Sequence, residues 1–125
     1  MITLIKIGGL FNLALAIFHL LFWRLFNWRE DLRSLSCLNR GIMQALNLTL
    51  TFVFIAFAYL SLVHTYELYL TTLGRSLLLC ISVLFMLRAI IQVVYFRLMH
   101  WGSTVFLILF ITGGLLYGIP AVSAT

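Results

Sequence analysis

Apolar residues run along this chain in four long blocks, separated by short stretches where charged and polar residues gather. The first block covers residues 2–23 and is interrupted by Lys6, Asn12 and His19. The second, residues 42–63, carries no charge. The third, residues 76–96, carries one, Arg88, and the fourth, residues 101–119, carries none and stops at Pro120. A hydrocarbon core about 30 Å thick takes about 20 helical residues to cross, so each block spans once and none spans twice. The runs are continuous, whereas strands of a membrane barrel alternate apolar with polar positions, so the pattern predicts helices. Joined by short connections, they predict one domain over residues 1–125, an all-α membrane protein built as an antiparallel four-transmembrane-helix bundle.

Composition removes the soluble alternative. The 125 residues are 64% hydrophobic and 9% charged, with a mean hydropathy of +1.16. A soluble domain carries about 25% charged residues, and this chain has too few to cover a globule with a polar surface. The bilayer is therefore the expected partner, and nucleic acid is not. A cleaved signal peptide is disfavoured for the first block, because Arg24, Arg29 and Arg33 follow it and no small-x-small site precedes them.

Charge sets the expected orientation. The odd loops, residues 24–40 and 97–100, hold Arg24, Arg29, Arg33, Arg40 and Arg97, against Lys6 and Arg75 on the opposite side. Five against two places those loops in the cytoplasm and both termini outside, in the inner (plasma) membrane of a cell. Trp23, Trp28 and Trp101 then fall at the cytoplasmic boundary, and Tyr66, Tyr69 and Tyr117 near the outer one. Within the first loop, Asn27 and Glu30 have capping-box spacing, and Trp28, Leu32, Leu35 and Leu38 recur at helical steps. Arg29, Arg33, Ser36 and Arg40 share another face. That pattern predicts a short interfacial helix whose Arg29, Arg33 and Arg40 meet anionic lipid headgroups. The plainer reading is a topology-setting loop with anchoring side chains. The second loop, residues 64–74, contains no motif.

The candidate chemistry lies inside the membrane. Arg88 precedes Arg97 by nine residues, about 13 Å from the boundary at the helical rise. Gln92 and Tyr95 follow it on one face. Gln44, Asn47 and Thr51 form a second stripe, and Gly9, Asn12, Ala16, His19 and Trp23 a third. Alternating helix directions bring His19, Gln44, Asn47, Arg88 and Gln92 to one half of the bilayer. An Arg at mid-membrane costs about 2.5–3.5 kcal/mol on insertion scales and normally finds a partner. No acid lies in any span, since Glu30 and Asp31 are in the first loop and Glu67 in the second. Two readings stay open: Arg88 and the amides tie helices together, or Arg88, Gln92, Asn47, Gln44, His19 and Asn12 line a cytoplasm-facing pocket for an anionic or lipid-like ligand. Gly114 and Gly118 form a G-x-x-x-G pair for close helix packing, within the bundle or between copies.

Enzyme chemistry finds little footing. Cys37 and Cys80 fall on different sides and form no C-x-x-C, and no nucleophile has an adjacent base. His64 lies on the outer side, and His19 and His100 near the inner one, a poor arrangement for haem or metal. No cofactor and no metal is expected. The triplet Asn47-Leu48-Thr49 sits inside a span, out of reach of glycosylation.

Small multidrug transporters have four helices in a chain of this length, but they depend on a first-helix carboxylate, and this first helix has Asn12 and His19 instead. Small fluoride channels share the length, but their glycine- and arginine-rich opening is absent. Asn39-Arg40-Gly41-Ile42-Met43-Gln44-Ala45-Leu46-Asn47, with Ile91-Gln92-Val93-Val94-Tyr95-Phe96, resembles uncharacterised small four-helix membrane proteins of bacteria. The resemblance implies a bacterial inner-membrane location and no activity. The expected function is a non-enzymatic membrane module, a complex subunit or a homo-oligomer; the alternative is a small transporter or ligand-binding protein anchored by Arg88.

Overall fold

The computed structural model describes residues 1–22, 28–96 and 101–123, almost all of them helical. Four helices are long and apolar enough to cross a membrane: α1 (Ile2–Leu20), α3 (Cys37–Val63), α5 (Thr72–Phe96) and α6 (Trp101–Ser123). Two short ones lie between them, α2 (Trp28–Asp31) and α4 (Thr65–Leu70). The four long helices cover the four apolar blocks of the sequence, with several ends shifted.

Local side-chain chemistry accounts for those differences. The second span begins at Cys37 because Ser36 is its N-cap, its Oγ accepting from the Asn39 amide at 3.2 Å. At 27 residues α3 is about 40 Å long and projects beyond the hydrocarbon. The first-loop periodicity is consequently split. It runs through α2 and a 3₁₀ turn, Leu32–Ser34, then breaks at the extended Leu35. Trp28 and Leu32 are buried against the rest of the chain, whereas Leu38 belongs to α3 and is 73% exposed. Asn27, half of the expected capping box, lies outside the described residues.

The second loop is not a loop. Helix α4 occupies Thr65–Leu70, and α5 starts at Thr72. Thr71 joins them: its hydroxyl donates to the Glu67 carbonyl at 2.6 Å and accepts from the Gly74 amide at 2.9 Å. Pro120 was expected to end the fourth span but lies inside α6, buried, with the helix continuing to Ser123. Its missing N–H forfeits one bond to the carbonyl of Leu116, a loss that membrane helices tolerate where neighbours pack closely.

The four long helices form a bundle of two tight pairs, α1 with α3 and α5 with α6, joined chiefly where α1 meets α6. Each contact matches an early residue of one helix with a late residue of its neighbour. On α1 and α3, Gly9 faces Ser61 and Leu62, and His19 meets Asn47. On α5 and α6, Ser82 meets Gly114 and Gln92 meets Ser103. Between the pairs, Gly8 faces Tyr117 and Phe18 lies against Phe106. Phe85 sits at the centre, with Phe11 edge-on at 5.4 Å, Tyr117 at 6.2 Å and Phe54 stacked at 6.3 Å. Outside, Leu10, Phe52, Val83 and Ile108 are each more than half exposed. Only 28–33% of the most apolar 18-residue stretch of each long helix is buried within the chain, which leaves the rest to an apolar surrounding.

Candidate functional site

Hydrogen bonds divide the polar residues of the spans into three groups, and Asn12 belongs to a different group from Arg88.

The first group joins three helices. Asn12 Nδ2 donates to the Tyr117 hydroxyl at 2.6 Å and to the Gly8 carbonyl at 3.0 Å. The same hydroxyl lies 2.7 Å from Ser61 Oγ. Asn12, Ser61 and Tyr117 are all fully buried. Tyr117 was expected at the outer aromatic belt and is instead the centre of this clasp. Gly8 makes room for it, since a Cβ there would lie 2.8 Å from the ring. Sequence reading had no hold on Ser61 or Gly8. A usable signal for Tyr117 was its place four residues after Gly113, on a face whose small residue marks close packing.

The second group lies about 10 Å along α1, seven residues further on. Asn47 Nδ2 donates to the backbone carbonyl of His19 at 3.0 Å, and Thr51 Oγ1 to that of Asn47 at 2.8 Å. His19 Nδ1 is 2.9 Å from the Leu15 carbonyl, and its ring is held by Phe22 at 4.5 Å and Phe54 at 5.0 Å. Aromatic packing surrounds it rather than other ligand atoms.

The third group contains the intramembrane charge. Arg88 Nη1 donates to Gln92 Oε1 at 3.1 Å, and Gln92 Nε2 donates to Ser103 Oγ at 3.0 Å. The guanidinium lies over Phe110 at 4.6 Å and Phe96 at 5.4 Å. Each such ring contributes about 0.5–2 kcal/mol, rising with desolvation of the cation. Arg88 is thus stabilised by its own i+4 neighbour and two aromatic faces, with no amide from α3. Tyr95, expected on the same face, is 78% exposed, and Gln44 is half-buried with no hydrogen bond among the described residues.

Remaining candidates fall as follows. Arg29 and Arg33 are exposed, but Arg40 turns back, donating from Nε to the Leu32 carbonyl at 2.9 Å and from Nη2 to that of Leu35 at 3.2 Å. Gly114 and Gly118 both face α5, against Met86 and Ser82, and Ser82 Oγ donates to the Gly114 carbonyl at 2.7 Å. The G-x-x-x-G face is therefore used inside the chain. Cys37 and Cys80 are free and exposed, and no metal-binding group of His, Cys, Asp or Glu occurs among the described residues. Two shallow grooves lie on the opposite side of the bundle, and neither is lined by Arg88, Gln92, Asn47 or Gln44.

Together these features define a small multi-pass membrane protein held by polar contacts between its helices. No family model, no curated protein and no solved structure matches the chain. The resemblance drawn on Asn39–Asn47 and Ile91–Phe96 rests on those residues alone.

Proposed function

We propose that the chain is a non-enzymatic membrane module, an antiparallel four-helix bundle in a cell's inner membrane that serves as a subunit or stabiliser of a larger assembly or of its own oligomer. The observation that carries this reading is the state of Arg88. Its guanidinium is engaged by Gln92, Phe96 and Phe110 of the same chain, so the charge has partners inside the bundle without a ligand. The early-to-late pairing of contacts along neighbouring helices supports the antiparallel arrangement. Exposed Arg29 and Arg33 beside the buried Trp28 and Leu32 support α2 and its 3₁₀ turn lying in the headgroup layer.

Arg88→Leu tests the central claim. Replacing a desolvated ion with a well-packed apolar residue is often neutral or stabilising. The variant is expected to insert, fold and keep the native assembly on blue-native gels, with its unfolding midpoint unchanged or higher. A ligand-binding protein gives the opposite result: native mass spectrometry finds an anionic adduct on the wild type that Arg88→Leu loses. Asn47 Oδ1, buried without a hydrogen-bond partner among the described residues, supports that second reading for a ligand that also carries an O–H or N–H donor, since this oxygen accepts and does not meet the anionic group itself.

Orientation is checked with the native thiol. Cys37 opens α3 and is exposed. On intact cells a membrane-impermeant maleimide should leave Cys37 unlabelled until the membrane is permeabilised. Labelling from outside reverses the topology.

A further inference from the structure

A groove of about 200 Å³ is shared by the end of α3, by α4 and by the start of α5, and its lining includes Leu60, His64, Glu67, Thr71, Leu73 and Leu77. We propose that it seats a phospholipid whose head carries a primary ammonium, with the Glu67 carboxylate as acceptor for the ammonium and the leucines against the apolar part.

Both helical walls turn apolar in the same direction. Helix α3 runs up to the groove and α5 runs away from it. Leu60 lies about 6 Å before His64 along α3, and Leu77 about 6 Å beyond Leu73 along α5. His64, Glu67 and Thr71 are therefore gathered where the spans end, while Leu60 and Leu77 continue into them. An amphiphile is graded in the same order. Leu68, 3% exposed, closes the floor, and Gly74 lets α5 come up against the backbone of Glu67 and Leu68. At about 30 Å³ per water in the liquid, the groove has the volume of about seven waters, enough to seat one edge of a lipid and too little to enclose one.

Charge selects the head. Glu67 is the one acid outside the first loop in a chain of net charge +5, and no Lys or Arg lines the groove. Its side chain is 74% exposed, and His64 Nδ1 meets only Oε1, at 3.3 Å, with a charge of its own only when protonated. Oε2 has no hydrogen bond among the described residues. The main chain beneath is fixed, since the Glu67 carbonyl accepts from the Thr71 amide at 3.1 Å and from the Thr71 hydroxyl at 2.6 Å. A primary ammonium carries three N–H donors and no acceptor, and an ionised carboxylate only accepts, so the two form a charge-assisted bond. A trimethylated ammonium has no N–H to give, and a head without a cation brings only like charge to Glu67. The site is separate from the Arg88 group and stands whether or not the chain is a subunit.

The test is native mass spectrometry of the full chain in mild detergent, offered phosphatidylethanolamine, phosphatidylcholine and phosphatidylglycerol with the same acyl chains in equal amounts. Wild type should retain one phosphatidylethanolamine at activation energies that strip the others. Glu67→Gln keeps the shape of the side chain, removes its charge, and should lower that retained fraction about tenfold, the loss of one charge-assisted contact. Leu77→Trp, which fills the deep end of the groove from a position 37% exposed, should lower it as far with Glu67 intact. Asp31→Asn, at an exposed acid of the first loop, should leave the lipid in place. Circular dichroism melts establish that each variant is folded, and Glu67 is exposed enough for its variant to fold as wild type does. Equal retention in wild type and Glu67→Gln overturns the proposal, and so does equal retention of phosphatidylcholine, which makes the groove apolar and no more. A loss in Glu67→Gln that Leu77→Trp does not reproduce, or that Asp31→Asn matches, reduces the effect to surface charge and overturns it too. Retention of glycerophosphoethanolamine as firmly as the lipid overturns the lipid assignment.

Discussion

Gly74→Ala is expected to destabilise the bundle by about 3 kcal/mol, the largest effect of any single added methyl group here. A Cβ at Gly74 would be driven into the Glu67 carbonyl oxygen and into Leu68 Cα and its carbonyl, all backbone atoms. A side chain in the way can rotate; this backbone cannot. Helix α4 is fixed at its start by Thr65 Oγ1 on the Ser61 carbonyl at 2.5 Å and at its end by Thr71 on Glu67. Leu68 between them is 3% exposed, so moving α4 aside would also uncover core. The control is Gly41→Ala, where an added Cβ meets nothing within 4 Å. That change should be neutral or stabilise α3 by up to about 1 kcal/mol, the ordinary difference between glycine and alanine in a helix. Titration of bicelle-embedded protein with dodecyl sulfate, followed by circular dichroism, measures both. Equal midpoints for Gly74→Ala and wild type would mean that α4 and α5 do not approach so closely.

The spans were legible because crossing a bilayer is a one-dimensional requirement: enough consecutive apolar residues and few charges. Their ends depended on side chains that hydropathy does not weigh. Ser36 extends α3 by five residues beyond its apolar run, Thr71 turns an expected loop into two abutting helices, and Pro120 is carried inside α6. The polar residues were legible in depth but not in partnership. Helical periodicity says which residues share a face, but not which neighbour that face meets. Arg88 therefore looked in need of α3, whereas its partners are Gln92 on its own helix and Phe110 on the next. Aromatic residues read as apolar filler in hydropathy, so their role in holding a cation left no trace there. Tyr117 was misplaced for a related reason. A tyrosine near a span's end fits an interfacial belt on composition, and only the notch at Gly8 reveals that it points inward.

Those partnerships matter more in hydrocarbon than they would in water. Lipid tails are as apolar as leucine, so burying leucine against leucine gives helices little reason to associate. Close packing at small residues and hydrogen bonds between helices must supply it. Gly114 and Gly118 with Ser82 do so within the α5–α6 pair, and Gly9 with Asn47 does so within α1–α3. The two pairs meet mainly between α1 and α6, and there the buried hydrogen bonds run through one hydroxyl.

That hydroxyl gives the second large effect. Asn12→Ala should cost about 2 kcal/mol or more, combining two lost hydrogen bonds with a cavity in a site that is 0% exposed. Tyr117→Phe keeps the ring against Gly8 and removes only the oxygen, so about 1 kcal/mol is expected. The two residues share one bond, so the double variant should be less unstable than the sum, by a coupling of about 1 kcal/mol. Ser61→Ala keeps the Asn12 bond to Tyr117 but takes the acceptor from the buried Tyr117 O–H, so about 1 kcal/mol is expected there as well. Sulfate-detergent unfolding of the four variants measures the cycle, and cross-linking between cysteines placed on α1 and α6 reports which interface opens. Loss of the α1–α6 cross-link with the α1–α3 contact intact is the expected outcome, since Tyr117 is what both helices of the first pair reach across to hold. Additive costs, or an unfolding that separates α1 from α3 first, would make the cluster three independent packing contacts rather than the joint between the pairs.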